Sequence, residues 1–105
     1  MVKLVGFIRK RADLTMEAFG FHWLETHTKL ASQLPGLRRY TVNIIDREQY
    51  PNCAYDGFSE LWFDSREALD AAFSGPGVLA LTADIPLFIG ELVRVVVDER
   101  EILRA

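Results

Sequence analysis

Residues 37–63, LRRYTVNIIDREQYPNCAYDGFSELWF, hold two β-favouring segments with no helix between them. Leu37 to Ile45 and Phe58 to Phe63 are rich in β-branched and aromatic residues, and each alternates apolar with polar positions as a half-buried strand does. The polar stretch from Asp46 to Gly57 is a loop, long for a hairpin, and long loops often carry function.

Outward from this pair the pattern changes period. On the N-terminal side a helix is expected from Met16 to about Gln33. Thr15 can cap its free N–H groups, Glu17 complements the positive end of its dipole, and Pro35-Gly36 ends it. Before it, Val2 to Arg9 (VKLVGFIR) reads as a strand covered on both faces. On the C-terminal side Ser65 caps a helix over REALDAAF, and Gly75-Pro76-Gly77 divides it from a further helical turn or two near Val78 to Asp84. Glu91 to Glu99 (ELVRVVVDE) reads as the last strand. The order β-α-β-β-α-β predicts one α+β domain over residues 1–105. It is the ferredoxin-like split βαβ fold, a four-stranded antiparallel sheet with the helices on one face.

Strand parity sorts the two faces. Tyr40, Val42 and Ile44, Leu61 and Phe63, and Val93, Val95 and Val97 are expected under the helices. Arg39, Thr41, Asn43, Glu60, Trp62, Arg94 and Val96 are expected on the open face, with Phe58. Trp62, Phe58 and Val96 are costly to leave in water, so a homodimer joined through its sheet faces is predicted, with Arg39, Arg94 and Glu60 able to pair there.

Composition excludes several classes. Half of the 105 residues are apolar, and the net charge is −3 without a basic cluster, which leaves nucleic-acid binding unsupported. No apolar run reaches the ~20 residues of a membrane span, and the N-terminus lacks a signal-peptide pattern. Cys53, the single cysteine, forms no internal disulfide, and no cationic neighbour in sequence marks it as a nucleophile. A cytoplasmic setting is the expectation. There is no GxGxxG, P-loop or GxSxG motif.

Both histidines lie in FHWLETH, residues 21–27. At about 100° per residue, His27 falls within about 40° of the buried stripe of Met16, Phe19, Trp23, Leu30 and Leu34, while His22 lies roughly 100° away. The imidazoles then diverge by about 140°. Helical metal pairs use i, i+3 or i, i+4, so no metal site is expected, and His22 reads as a flank residue beside Glu25 and Lys29. His27 points inward, either as a core histidine with a bonded partner or as a general acid or base facing a cavity. Tyr40 can supply a hydroxyl to the same cavity or be a core tyrosine with its hydroxyl reaching solvent.

VKLVGFIRKRADLTMEAFGFHWLETHTKLASQLPGLRRYTVN resembles the opening of EthD-domain proteins in the dimeric α/β-barrel superfamily. The likeness continues through DGFSELWFDSREALDAAF and LTADIPLFIG. HWLETHTKLASQLPGLRRY is its most specific part. The resemblance implies a split βαβ domain dimerised through its sheets, with a helix–sheet cavity for a small, largely apolar, oxygenated molecule. The family's helix histidine matches His27 in the W-x-x-x-H pattern with Trp23. Tyr40 matches the tyrosine after the P-G-L turn of methylmuconolactone isomerases. Asp84 matches an acidic position that orients the histidine or binds a substrate hydroxyl. Those isomerases carry a histidine where Cys53 and Tyr55 lie here, and a cysteine where Leu61 stands, which separates this chain from their particular reaction.

The expected function is cofactor-independent proton transfer by an isomerase, cyclase or lyase, on a compound such as a lactone or polyketide. His27, Tyr40 and Asp84 are the expected catalytic residues, with Phe7, Trp23, Leu61, Phe63 and Phe88 as walls. The alternatives are a non-catalytic carrier of a hydrophobic metabolite in a degradation pathway, or haem binding through His27.

Overall fold

A computed structural model describes all residues 1–105. The strands β1 (Val2–Lys10), β2 (Leu37–Ile44), β3 (Gly57–Phe63) and β4 (Ile89–Val97) form one sheet in the order β2-β3-β1-β4, every pair antiparallel. α1 (Met16–His22), a π turn (Trp23–His27) and α2 (Thr28–Ala31) run on as one rod, and α3 (Arg66–Ser74) and α4 (Val78–Asp84) follow β3. This is the α+β ferredoxin-like split βαβ fold.

Local chemistry sets the boundaries. Thr15 Oγ1 accepts from Ala18 N–H, and Ser65 Oγ accepts from Ala68 N–H, so each long helix begins on a side-chain cap. Pro35-Gly36 turns the chain into β2 through Gly36 at φ +77°, a left-handed value that glycine adopts without steric cost. Gly57 is glycine for another reason. A Cβ there would collide with the Asn43 carbonyl and come within 2.7 Å of the Trp23 ring, so the indole seats directly on the β3 backbone.

The expected rod is interrupted in its middle. Thr28 N–H reaches back five residues to Trp23 O rather than four to Leu24 O. The Leu24 carbonyl is satisfied instead by Thr28 Oγ1 at 2.6 Å. The side chain thus replaces the backbone donor and stabilises the wider turn.

Register corrects the expected face of β4. Leu4 pairs with Leu61 and Val96, Gly6 with Ser59 and Arg94, and Ile8 with Gly57 and Leu92. Directly paired residues share a face, so Leu92, Arg94 and Val96 lie under the helices, while Val93, Val95 and Val97 lie on the open face. The run Val95–Val97 has no polar position to distinguish the two parities, and only pairing decides. Arg94 therefore cannot join Arg39 and Glu60 on the open face.

That open face has a polar half and an apolar half. Lys3 binds Glu60 and Glu99 at 2.9 Å each, and Thr41 and Asn43 also donate to Glu60. Trp62 is already buried within one chain: its Nε1 donates to Glu99, and Lys3 and Arg39 lie over its ring. Across β1 and β4 the face is apolar, with Phe7 packed on Phe58 and Tyr55 beside exposed Val93 and Val95.

Under the helices the core forms two clusters. One joins Leu4, Leu61 and Phe63 to Ala31, Leu34, Leu69, Ala72 and Leu81; the other joins Ile8 and Ile89 to Phe19, Trp23 and Phe88. Gly6 and Ser59 pair between them. Two residues this small cannot fill the seam, and the void lies there.

The 46–56 loop is fastened away from that void. Buried Asp56 accepts from Lys10 N–H and from Arg47, and Arg47 also donates to the carbonyls of Tyr50 and Cys53. Cys53 is exposed, and none of these loop residues lines the cavity.

Candidate functional site

The seam encloses a cavity of about 40 Å³. Its floor is Leu4, Gly6, Ile8, Ser59 and Leu61 of β1 and β3. Tyr40 of β2 and Leu92 and Arg94 of β4 flank it, and Trp23, His27, Ala31, Phe73, Leu81 and Ile85 roof it. The lining is mostly apolar and contains no carboxylate.

His27 is buried, and its Nδ1 lies 2.8 Å from Asp84 Oδ2. Asp84, at the end of α4, is itself buried. A carboxylate in such a place needs donors. It has two: His22 Nε2 lies 2.9 and 3.0 Å from its oxygens. The two imidazoles, expected to diverge, converge on one carboxylate. The π turn is the reason, because its i→i+5 spacing brings together positions that an ideal α-helix splays apart. The expected flank position of His22 is corrected accordingly. The convergence is on a hydrogen-bond acceptor, and no group of three His, Cys, Asp or Glu side chains is arranged to hold a metal ion.

Phe88 fixes the pair from behind. Its ring stacks on His22 at 4.7 Å and tilts against His27 at 4.8 Å. With Nδ1–H donating to Asp84, the His27 tautomer is assigned by that bond, and Nε2 is left as an unprotonated acceptor. Nε2 has no protein partner. Burial lowers the His27 pKa below its ordinary value; the Asp84 bond opposes this, and the positive charge of Arg94 adds to the lowering. The ring is thus held neutral and basic at neutral pH.

Two donor-bearing residues, Tyr40 and Trp23, line the same cavity. Burial raises the Tyr40 phenol to a pKa of about 12, an effect the neighbouring Trp23 indole partly offsets, so the hydroxyl stays protonated. The indole falls short of a hydrogen bond with it, since Trp23 Nε1 is buried without any partner. An orphaned buried N–H costs on the order of 1–3 kcal/mol, and a ligand oxygen in the cavity would satisfy it.

The remaining expected wall residues divide. Trp23 and Leu61 line the cavity. Phe63 and Phe88 are fully buried in separate clusters and do not line it, and Phe7 points to the opposite side of the sheet. Sequence reasoning placed His22 on the helix flank and Arg94 on the open face, and gave neither a part in the site. The five-residue histidine spacing followed at once by Thr28 was the available signal for the first; Arg94 required the register. The cavity of about 40 Å³ is far smaller than a porphyrin.

A four-stranded antiparallel sheet with its helices on one face, and a helix–sheet cavity above it, place this chain among the ferredoxin-like α+β proteins. Sequence comparison then identifies the group within that class: the EthD domain model matches residues 11–91. The chain belongs to the EthD-domain family. An EthD-family protein of Bacillus halodurans superposes with a TM-score of 0.81 at 28% identity, over 95% of this chain and 99% of that one. A dimeric ferredoxin-like protein of unknown function from Thermobifida fusca gives 0.70 at 18% identity, over 91% and 88%. SnoaB, a cofactor-independent oxygenase from Streptomyces nogalater, gives 0.72 at 14% identity, over 99% and 97%; the last two likenesses are ones of fold. No curated protein matches the sequence. No helix is long and apolar enough to cross a membrane.

Because the folded His27 pKa is lowered, the unfolded chain binds a proton that the native state does not, between the ordinary value of about 6.5 and the lower folded one. This contribution to stability is fully present above about pH 6.5 and is lost as pH falls through the folded pKa. Urea midpoints measured from pH 7.5 to 5.0 should fall more steeply for the wild type than for His27→Gln. Parallel curves would contradict the buried neutral imidazole.

Proposed function

We propose that the protein is a cofactor-independent acid–base enzyme acting on a small, largely apolar, oxygenated compound such as a lactone or polyketide fragment. The observation that carries this reading is the meeting, in the lining of one mostly apolar cavity, of His27 with a partnerless Nε2, Trp23 with an orphaned N–H and the half-buried phenol of Tyr40. A base without an oxyanion site, or the reverse, would not suit enolisation. Together they do.

In this mechanism Nε2 removes a proton from a carbon adjacent to a carbonyl, giving imidazolium and enolate. Asp84 steadies the imidazolium through Nδ1–H. Tyr40 O–H and Trp23 N–H donate to the enolate oxygen as its charge develops. Return of the same proton to another carbon completes an isomerisation, and return after ring closure completes a cyclisation. Electrons and protons balance within the substrate. The void holds about three water-sized spheres, so a larger compound enters by displacing side chains at the mouth, where Arg94 is exposed.

The activity is measurable as deuterium exchange at the carbon next to the carbonyl of small lactones and cyclic 1,3-diketones in D2O, followed by NMR. His27→Gln should lower the enzyme-dependent exchange by about a hundredfold, and Tyr40→Phe by tenfold or more, as expected for loss of one oxyanion donor. An unchanged rate in His27→Gln would remove the base. Tight binding of such a compound with no exchange in any form would favour the carrier reading instead.

We also propose that two copies pair through their open sheet faces, burying Phe7, Val93 and Val95. The exposed apolar half of that face and the dimeric state of the Thermobifida fusca relative in fold support this. Sedimentation should give a dimer for the wild type and a monomer for Val95→Asp; a monomeric wild type would exclude the pairing.

A further inference from the structure

Seven of the nine arginines pair with a carboxylate of their own chain. Arg39 lies 4.5 Å over the Trp62 ring on the open face. Arg94 differs from all of these. It lies under the helices, on the row that passes through Gly6 and Ser59 across the cavity floor, and it has no ion pair. Its guanidinium lies 5.6 Å over the Phe73 ring, so an aromatic face supports it without using its N–H donors.

The placement is unusual on charge grounds. Arg94 is the one fully charged side chain lining the cavity, and no Asp or Glu lines it. Asp84, the carboxylate beside the cavity-lining His27, is occupied by both histidines. The guanidinium is charged at every physiological pH, and surrounding protein lowers its pKa through burial. A partly desolvated, planar donor fork without an acceptor is a receptor for a carboxylate.

We infer that the compound received by the cavity carries a carboxylate, bound at the mouth by Arg94 while its carbonyl end reaches Trp23 and Tyr40. This rests on the reading of the cavity as a small-molecule site and narrows it to monoanions. A single positive charge, with His27 neutral and no second cation in the lining, matches a carboxylate better than a dianionic phosphate. The sheet-to-sheet dimer leaves the site open, because Arg94 lies on the face turned away from it.

Benzoate and benzyl alcohol share a ring and differ in charge, and the Trp23 indole N–H signal in a ¹H–¹⁵N spectrum reports on the cavity. Titrated into the intact protein, benzoate should bind about tenfold or more tightly than benzyl alcohol, the size of a charge-assisted hydrogen bond. That preference should vanish in Arg94→Gln and return in part in Arg94→Lys, with the rest of the spectrum confirming the fold. Equal affinities in the wild type, or a preference surviving in Arg94→Gln, would overturn the assignment to Arg94 and leave the cavity reading standing. A Trp23 signal unmoved by either compound would overturn both.

Discussion

One buried carboxylate, Asp84, receives hydrogen bonds from two imidazoles five residues apart, and the catalytic geometry depends on that arrangement. An anion in so apolar a place is unfavourable without donors. His22 and His27 supply them only because the helix widens to a π turn between them. Thr28 makes the turn possible by lending its hydroxyl to the carbonyl that the altered backbone leaves free. A local exchange of one backbone donor for one side-chain donor thereby fixes a tautomer across the molecule, and the tautomer leaves His27 Nε2 as a base.

The cavity has an equally plain origin. Two apolar clusters lie side by side under the helices, and the row between them carries glycine, serine and an outward-reaching arginine where larger apolar side chains would have closed the core. Packing density elsewhere is what makes the void informative. Trp23 belongs to one of these clusters and lines the cavity, seated on the bare backbone of Gly57 with its N–H unpaired. The residue is held firmly while one polar atom stays free for a ligand.

Much of the fold was legible in the sequence. Strand and helix positions follow from period, caps and the Pro35-Gly36 turn, and the consecutive strands β2 and β3 select the topology. The face of β4 was not legible, since Val95 to Val97 offer no contrast between parities; hydrogen-bond register with β1 settles it and carries Arg94 into the cavity. The inward position of His27 follows from helical periodicity and agrees with its burial. The approach of His22 does not, because a uniform rotation of about 100° per residue has no place for a π turn. Phe63 and Phe88 were correctly apolar and inward but belong to packed clusters, and the boundary between core and cavity wall is a property of three-dimensional packing that a residue's type does not state.

The central claim is that burial keeps His27 neutral while Asp84 holds its proton on Nδ1. Long-range ¹H–¹⁵N imidazole spectra at neutral pH test it most directly. The account predicts a neutral His27 ring with Nδ1 protonated and hydrogen-bonded and Nε2 bare. A ring protonated on both nitrogens, or one carrying its single proton on Nε2, would contradict it.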